Sequence, residues 1–379
     1  MDAAQNAPLR YDRELFAALR DAFLSGALSR ERARLPDPPA PLASDDPRLL
    51  RPPTAAAALA ERVAAGEAAL HAGEVAALIL NGGLATRFGG AVKGVVPVLP
   101  GAAAPSFLAL KLADVRALSE RLGAAIPAIV MCSFATRAAS DAHLEAIGWS
   151  GLDPAQRLTF DQSALPRIDL GGAPLYAREG AATRPHSELF AAPGHGDTLE
   201  QAVASGLVDR LRARGVRHVL ISNVDNLGAT LDPLDLGLHL AAVERGAQVS
   251  VEVVRRRPGD VGGCIAEVGD RPVIVEGFRL PEAAAATRYD HFNTNTLWLT
   301  IDALGSRPAL TYFPVHRSVT WGAQELAIVQ FERLIGQITE HAPTAFLEVD
   351  RDRRFMPIKT REDLAAARPW IERRVADLG

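Results

Sequence analysis

Residues 78–94 read Leu78-Ile-Leu-Asn-Gly-Gly-Leu-Ala-Thr-Arg-Phe-Gly-Gly-Ala-Val-Lys-Gly94, an apolar run that ends in a glycine-rich, cationic loop. A buried strand that leads into such a loop lets backbone N–H groups approach phosphates, while Arg87 and Lys93 offset their charge. The spacing matches neither the G-x-G-x-x-G dinucleotide fingerprint nor the G-x-x-x-x-G-K-[ST] P-loop. The segment therefore predicts a different kind of nucleotide site, and the alternative is a plain turn between a strand and a helix.

The composition of the chain excludes several classes of protein. Its 379 residues are 48% hydrophobic and 23% charged, with a formal net charge of -4, so no overall basic field would attract nucleic acid. Two cysteines suggest neither a disulfide framework nor a zinc site. The N-terminal residues lack a positively charged start followed by the apolar stretch typical of a signal peptide, and no window reaches the ~18 apolar residues of a membrane span. We expect a globular, cytoplasmic protein with no nucleic-acid or membrane partner.

The first 74 residues predict an N-terminal helical arm and connector. Leu15, Phe16, Leu19, Phe23 and Leu24 share one helical face within residues 11–28, and the proline-rich residues 35–42 follow. Alanine-rich residues 55–71 favour a second helix.

Residues 75–379 predict a single catalytic domain in which strands and helices alternate. The apolar runs that predict strands are Val75–Leu80, 126–131, 218–222 and 248–254. The helical stretches between them are Phe107–Leu122, 135–147 and 198–214. This order indicates an α/β fold of Rossmann-like type, with a mixed, mainly parallel central sheet flanked by helices. Residues 262–299 are richer in short strands and predict an antiparallel or mixed extension over the sheet edge.

Polar motifs follow three of the predicted strands, and parallel sheets bind ligands beyond the carboxyl ends of their strands. One motif is the loop after Leu80, another follows Met131, and the third is Asn223-Val-Asp-Asn226. The carboxylate of Asp225 would suit Mg²⁺ if phosphates bind across the sheet. An Asp-Asn turn without a ligand is the alternative.

Four further segments carry polar or glycine-rich patterns that each have a simpler explanation as a turn or as solvated surface. Gln162 has an amide that could contact a base edge, and Pro193-Gly-His-Gly-Asp197 would let the backbone approach a flat ligand. Asn293 and Asn295 interrupt a β-like run, which costs strand propensity. The fourth segment is Arg354-Phe-Met-Pro-Ile-Lys-Thr360.

Six of these segments, taken in order, resemble motifs of the eukaryotic-type UTP–glucose-1-phosphate uridylyltransferase family: the glycine-rich loop, residues 160–168 around Gln162, residues 193–197, the Asp225 segment, residues 292–298 and the segment that ends at Thr360. The resemblance runs from about Leu78 to Thr360. It implies a fold of the nucleotide-diphospho-sugar transferase type. It also implies an enzyme that forms UDP-glucose and pyrophosphate by attack of glucose-1-phosphate on the α-phosphorus of UTP, assisted by Mg²⁺.

The resemblance also implies roles for individual residues. The positions that would hold the nucleotide are Gly82, Gly83, Met131, Gln162, Gly194 and His195. The positions that would contact the sugar are Asn226, Glu276 and Asn293. The carboxylate near the metal would be Asp225, and the catalytic cations would be Arg87, Lys93 and Lys359. Lys93 would contact the UTP phosphates, and Lys359 would contact the sugar phosphate.

The sequence departs from the family pattern around Lys93. Val92 stands where the family commonly has proline, and Gly94 stands where serine is frequent. The chain ends about twenty residues after Lys359, where many members continue into a β-helix, so we expect no C-terminal β-helix domain. Two alternatives stay open: uridylyl transfer to an N-acetylhexosamine- or galactose-1-phosphate, and a non-catalytic UDP-sugar-binding protein.

Overall fold

The fold is built around a mixed sheet in which an interior strand, Val75–Leu80, is apolar and buried along its whole length. The structure is a computed structural model that describes residues 9–85, 88, 90–101, 104–281 and 288–378. Its helices are α1 Arg13–Leu24, α2 Ala56–His71, α3 Phe107–Leu122, α4 Arg137–Ala146, α5 His186–Leu189, α6 Asp197–Ala204, α7 Leu207–Ala213, α8 Pro233–Glu244, α9 Ile301–Leu304, α10 Arg351–Arg354 and α11 Arg361–Leu378.

The first nine strands are β1 Ala40–Pro41, β2 Leu49–Leu50, β3 Val75–Leu80, β4 Leu84–Ala85, β5 Ala91–Val92, β6 Ala128–Cys132, β7 Arg157–Asp161, β8 Leu165–Pro166 and β9 Ile168–Asp169. The next nine are β10 Phe190–Ala191, β11 His218–Asn223, β12 Val249–Arg255, β13 Cys264–Val268, β14 Arg271–Val275, β15 His291–Thr300, β16 Phe313–Trp321, β17 Gln324–Glu332 and β18 Thr344–Glu348.

The main sheet confirms the predicted fold class. Its strand order is β2-β18-β12-β15-β11-β3-β6-β7, and β11, β3, β6 and β7 are parallel neighbours. The carboxyl ends of these four strands therefore meet at one edge. The glycine-rich loop, the segment after β6, Gln162 and the Asp225 segment all follow these strand ends. This common edge is the reason that residues far apart in sequence can form one site.

Strand β15 corrects the prediction of an extension over the sheet edge. It lies in the interior of the sheet, antiparallel to both β11 and β12, while the β13–β14 hairpin pairs with it through Cys264 and Phe292. The sequence pattern identifies a β-rich segment but not its neighbours. The predicted helix over 198–214 is also two helices, because Gly206 adopts a φ of 69° between α6 and α7.

The N-terminal residues pack against the main sheet and against the smaller sheet of β16, β17 and β9. Helix α1 places Phe16 and Leu19 against Val329 and Phe331 of β17, beside the sheet that β16, β17 and β9 form. Helix α2 contributes Leu70 to the main core, and β2 pairs with β18. The boundary at residue 74 stays a prediction. Within the described ranges, no helix has both the length and the apolar character needed to cross a membrane.

Candidate active site

A cleft of about 800 Å³ lies at the carboxyl ends of the parallel strands. Most of the residues that the sequence singled out line this cleft. The predicted site residues found there are Gly82, Gly83, Lys93, Met131, Gln162, Gly194, His195, Asp225 and Lys359. Arg87, the remaining predicted cation, lies outside the described residues. The structure thus places the residues predicted to contact the base and those predicted to contact the phosphates in one cleft.

Gln162 lies between Gly82 and Gly194 in the predicted base pocket. Its Nε2 donates to the carbonyl oxygen of Gly194 at 2.8 Å. A Cβ on Gly82 would stand 1.9 Å from Gln162 Oε1, so a side chain at residue 82 would displace the glutamine. Gly194 has a φ of +76°, and a Cβ there would stand 2.5 Å from the carbonyl oxygen of Arg333. Both positions therefore leave no room for a side chain, which lets the backbone at residues 82 and 194 approach Gln162 and Arg333 closely.

His195 is fixed in one neutral form. Its Nδ1 accepts a hydrogen bond from the backbone N–H of Ile335 at 2.9 Å, and burial lowers the pKa of the imidazole to about 4. The ring proton consequently resides on Nε2 at neutral pH. His195 can therefore offer one N–H donor to a ligand in the cleft.

Asp197 connects the segments on which Gln162 and His195 lie, a role that the sequence did not indicate. Its side chain is fully buried. Oδ2 accepts from the backbone N–H of Ser163 at 2.7 Å, and Oδ1 accepts from Arg333 at 2.5 Å. A buried carboxylate with these partners rigidly joins the residue after Gln162 to the start of α6.

Asn81 explains the glycine that follows Lys93. The Asn81 side chain donates to Ser140 Oγ at 2.9 Å and accepts from the backbone N–H of Gly94 at 3.1 Å. A Cβ on Gly94 would stand 2.3 Å from Asn81 Oδ1. A side chain at residue 94 would therefore displace the Asn81 amide, which holds the backbone beside Lys93.

The Lys93 ammonium lies against aromatic rings at the cleft. Its Nζ is 3.8 Å from the centre of the Phe88 ring and 4.8 Å from that of Phe107. Burial lowers the pKa of Lys93, and the carboxylates of Asp225 and Asp363 oppose this shift. The cation–π contacts and these carboxylates stabilise a positive charge in a partly desolvated position.

Asp225 lies near Lys359 because its backbone is hydrogen-bonded to Ile358, the residue before that lysine. The carbonyl oxygen of Asp225 accepts from the N–H of Ile358 at 3.0 Å. Burial raises the pKa of the Asp225 carboxyl, and the charges of Lys93, Lys359 and Lys111 oppose the increase. The result is a carboxylate among cations, at the place where β11 ends.

Asn226 does not line the cleft. Its Oδ1 accepts from the N–H of Met356 at 2.8 Å, and its Nδ2 donates to the carbonyl oxygen of Arg354 at 3.3 Å. The side chain is buried. Its contacts therefore position the segment that leads to Lys359, and the predicted contact with a sugar stays a prediction.

Glu276 and Asn293 do not line the cleft either, but they lie beside each other. A Cβ on Gly263 would stand 3.3 Å from Glu276 Oε1 and 3.4 Å from Asn293 Cβ. Burial raises the pKa of Glu276. Asn293 Oδ1 accepts from the N–H of Asn295 at 2.9 Å, and Asn295 Nδ2 donates to Oδ1 of the cleft residue Asn223 at 3.2 Å. These hydrogen bonds connect Asn293 to the cleft, while the sugar-contacting roles of Asn293 and Glu276 stay predictions.

Two arginines that the sequence reasoning did not assign also line the cleft. Arg167 lies five residues after Gln162, and its Nη1 donates to the carbonyl oxygen of Glu188 at 3.4 Å. Arg317 belongs to the β16–β17 hairpin, for which no motif gave a signal. Both side chains add positive charge to a cleft predicted to take phosphates.

Comparison with known proteins identifies the family of this chain. The sequence pattern of the family described as UTP–glucose-1-phosphate uridylyltransferase matches residues 52–369. The Saccharomyces cerevisiae protein of that name is 30% identical over 308 residues, which cover 77% of this chain and 58% of the relative. The Solanum tuberosum protein of the same name is 29% identical over 303 residues, which cover 76% of this chain and 59% of the relative. The chain thus spans less than two thirds of the length of these relatives.

Solved structures show the same fold. A UDP-glucose phosphorylase from Trypanosoma brucei is 26% identical with a TM-score of 0.74, and the match covers 94% of this chain and 74% of that chain. A UDP-N-acetylglucosamine pyrophosphorylase from the same organism has a TM-score of 0.74 at 20% identity, over 93% and 75% of the two chains. The second likeness shows the fold alone. By the match over residues 52–369, the chain belongs to the UTP–glucose-1-phosphate uridylyltransferase family.

Proposed function

We propose that this protein transfers the uridylyl group of UTP to glucose-1-phosphate, which gives UDP-glucose and pyrophosphate. One observation carries the proposal: a single cleft contains the base-pocket residues Gln162 and His195 together with Lys93, Asp225 and Lys359. Family membership supports the same reaction.

The base pocket has the hydrogen-bonding groups that uracil needs. Because Gln162 Nε2 is bonded to Gly194, its Oε1 remains as an acceptor for the N3–H of uracil. His195 offers its Nε2–H to a carbonyl oxygen. Cytosine has an acceptor at N3, so it would leave Gln162 Oε1 unpaired. An unpaired buried polar group is a strong source of discrimination.

The phosphate chemistry follows from positioning and charge. An oxygen of the sugar phosphate forms a bond to the α-phosphorus of UTP as the bond from that phosphorus to the bridging oxygen breaks and pyrophosphate leaves. No covalent intermediate with the protein is needed. Two anionic substrates repel each other, so Lys93 and Lys359 would act by screening charge and by alignment.

Asp225 fits a role as the protein's ligand to Mg²⁺. Within the described ranges, no cluster of three or more histidine, cysteine, aspartate or glutamate side chains could hold a metal ion. Mg²⁺ usually needs only one or two carboxylates, because substrate phosphates and water complete its coordination. A bound Mg²⁺ would offset the phosphate charge of UTP.

The identity of the sugar is tested with a panel of acceptors. The purified chain is supplied with UTP, Mg²⁺ and glucose-, galactose- or N-acetylglucosamine-1-phosphate, and pyrophosphate release is measured. We expect the highest kcat/KM with glucose-1-phosphate and no release without Mg²⁺. A preference for another sugar would support the alternative acceptor, and binding of UDP-sugar without turnover of any acceptor would support a binding protein.

A further inference from the structure

The chain uses lysine at three positions and arginine at 38. The three lysines are Lys93, Lys111 and Lys359, and the positive charge of each one acts on the Asp225 carboxyl. Two of them line the cleft and have proposed roles with phosphates. Lys111 has no such role, although it is the third member of the same group.

Lys111 lies beneath the cleft on α3. Its side chain is buried, and Nζ donates to Ser222 Oγ at 3.0 Å and to the carbonyl oxygen of Ala229. Ser222 stands one residue before the end of β11, and Ala229 follows the turn. The ammonium group thus holds both ends of residues 222–229, the segment that carries Asn223 and Asp225.

A lysine is an unusual residue for this place. Its helix neighbours Leu108 and Leu112 belong to the main hydrophobic core. Burial of an ammonium carries a large desolvation cost, which the two hydrogen bonds and the charge of the nearby buried Asp114 oppose. A compact ammonium can donate to two acceptors at once, whereas the planar guanidinium of the chain's common cation has a different shape.

We propose that Lys111 is a positioning residue for uridylyl transfer. Its hydrogen bonds fix residues 222–229, so that Asp225 keeps its place near Lys93 and Lys359. Lys111 acts through this segment and does not contact substrate. The inference rests on the proposed function for its kinetic part, and its structural part can be measured without turnover.

The kinetic test compares Lys111→Met with the wild-type protein. Since a misplacement of about 1 Å can cost about 100-fold in rate, we expect kcat to fall about 10- to 100-fold. The Kd of UTP in the absence of acceptor should change less than threefold, while the unfolding midpoint in urea should decrease because two buried hydrogen bonds are lost. Ser119→Ala is the matched control, because Ser119 is also buried on α3 but bonds to Gln156 at 3.0 Å. Its kcat should equal that of the wild type.

Hydrogen exchange of the substrate-free protein tests the structural part. Amides of residues 223–228 should exchange faster in Lys111→Met and at the wild-type rate in Ser119→Ala. If Lys111→Met does not fold, Ser222→Ala removes one of the two acceptors and should give the same local increase. Unchanged exchange, a kcat within threefold of wild type, or an equal loss of kcat in Ser119→Ala would overturn the inference. If the wild-type protein shows no turnover, the proposed function is contradicted. The hydrogen-exchange result then still decides whether Lys111 fixes residues 222–229.

Discussion

Replacement of Gly82 by alanine should reduce the preference for uracil far more than the same replacement at Gly83. The added Cβ at residue 82 would stand 1.9 Å from Gln162 Oε1, which is too close for atoms that are not bonded. Gln162 must therefore move, and its 2.8 Å hydrogen bond to Gly194 must break. At Gly83, no heavy atom lies within 4 Å of the corresponding methyl group, which makes Gly83→Ala the matched control.

The size of the effect follows from the discrimination that Gln162 Oε1 provides while it is held in place. A buried acceptor that cytosine leaves unpaired costs about 1–3 kcal/mol, and this difference is lost when Gln162 moves. That free energy corresponds to about 5- to 150-fold in a binding constant. Calorimetry of UTP and CTP binding measures the selectivity as a ratio of Kd values. We expect this ratio to decrease about 5- to 150-fold in Gly82→Ala and less than about threefold in Gly83→Ala.

A double variant tests the proposed cause. In Gly82→Ala combined with Gln162→Ala, the methyl group at residue 82 no longer meets the glutamine. The double variant should therefore lose little more selectivity than Gln162→Ala alone. Its loss of selectivity should be much smaller than the sum of the losses in the two single variants. Additive losses, or an unchanged UTP to CTP ratio in Gly82→Ala, would refute the reasoning.

Three further predictions concern charge. Lys359→Ala should reduce turnover by about 100-fold or more with little change in the Kd of UTP alone, whereas Lys93→Ala should weaken both; near-wild-type turnover of Lys359→Ala would contradict this division of roles. Asp197→Ala leaves the buried Arg333 with Glu200 as its remaining carboxylate. The free energy of unfolding in urea should therefore decrease by about 3–5 kcal/mol. A decrease below about 1 kcal/mol would argue against the connecting role of Asp197. Burial lowers the pKa of His218 to about 4, so between pH 6.5 and 4 the unfolded chain binds a proton that the folded chain does not. The free energy of unfolding of the wild type, relative to that of His218→Asn, should therefore decrease by about 2 kcal/mol from pH 7 to pH 5. A difference that stays constant with pH would contradict this prediction.

Elements with local signals were predictable from the sequence. The uninterrupted apolar run of β3 gave both of its ends. Helix α3 begins where Ser106 Oγ accepts from the N–H of Ala109 at 3.0 Å and ends before Gly123, which has a φ of 63°. A capping serine and a terminal glycine are visible in the sequence itself.

Features that depend on distant residues were not predictable. The bond between Asp197 and Arg333 joins positions 136 residues apart, and that between Lys111 and Ser222 joins positions 111 apart. The interior position of β15 depends on its pairing with β11 and β12, and strand periodicity carries no information about neighbours. Asn226 stands in a recognised motif, but only the fold shows that its amide is bonded to the segment before Lys359.

The fate of the α-phosphate tests direct uridylyl transfer most directly. The purified protein is mixed with Mg²⁺, glucose-1-phosphate and UTP labelled at the α-phosphorus, and the products are separated over time. The proposed reaction requires that all converted label appear in UDP-glucose, with one pyrophosphate released for each transfer and no label on the protein. Label recovered in UMP or UDP, label bound covalently to the protein, or the absence of conversion would contradict the proposed reaction.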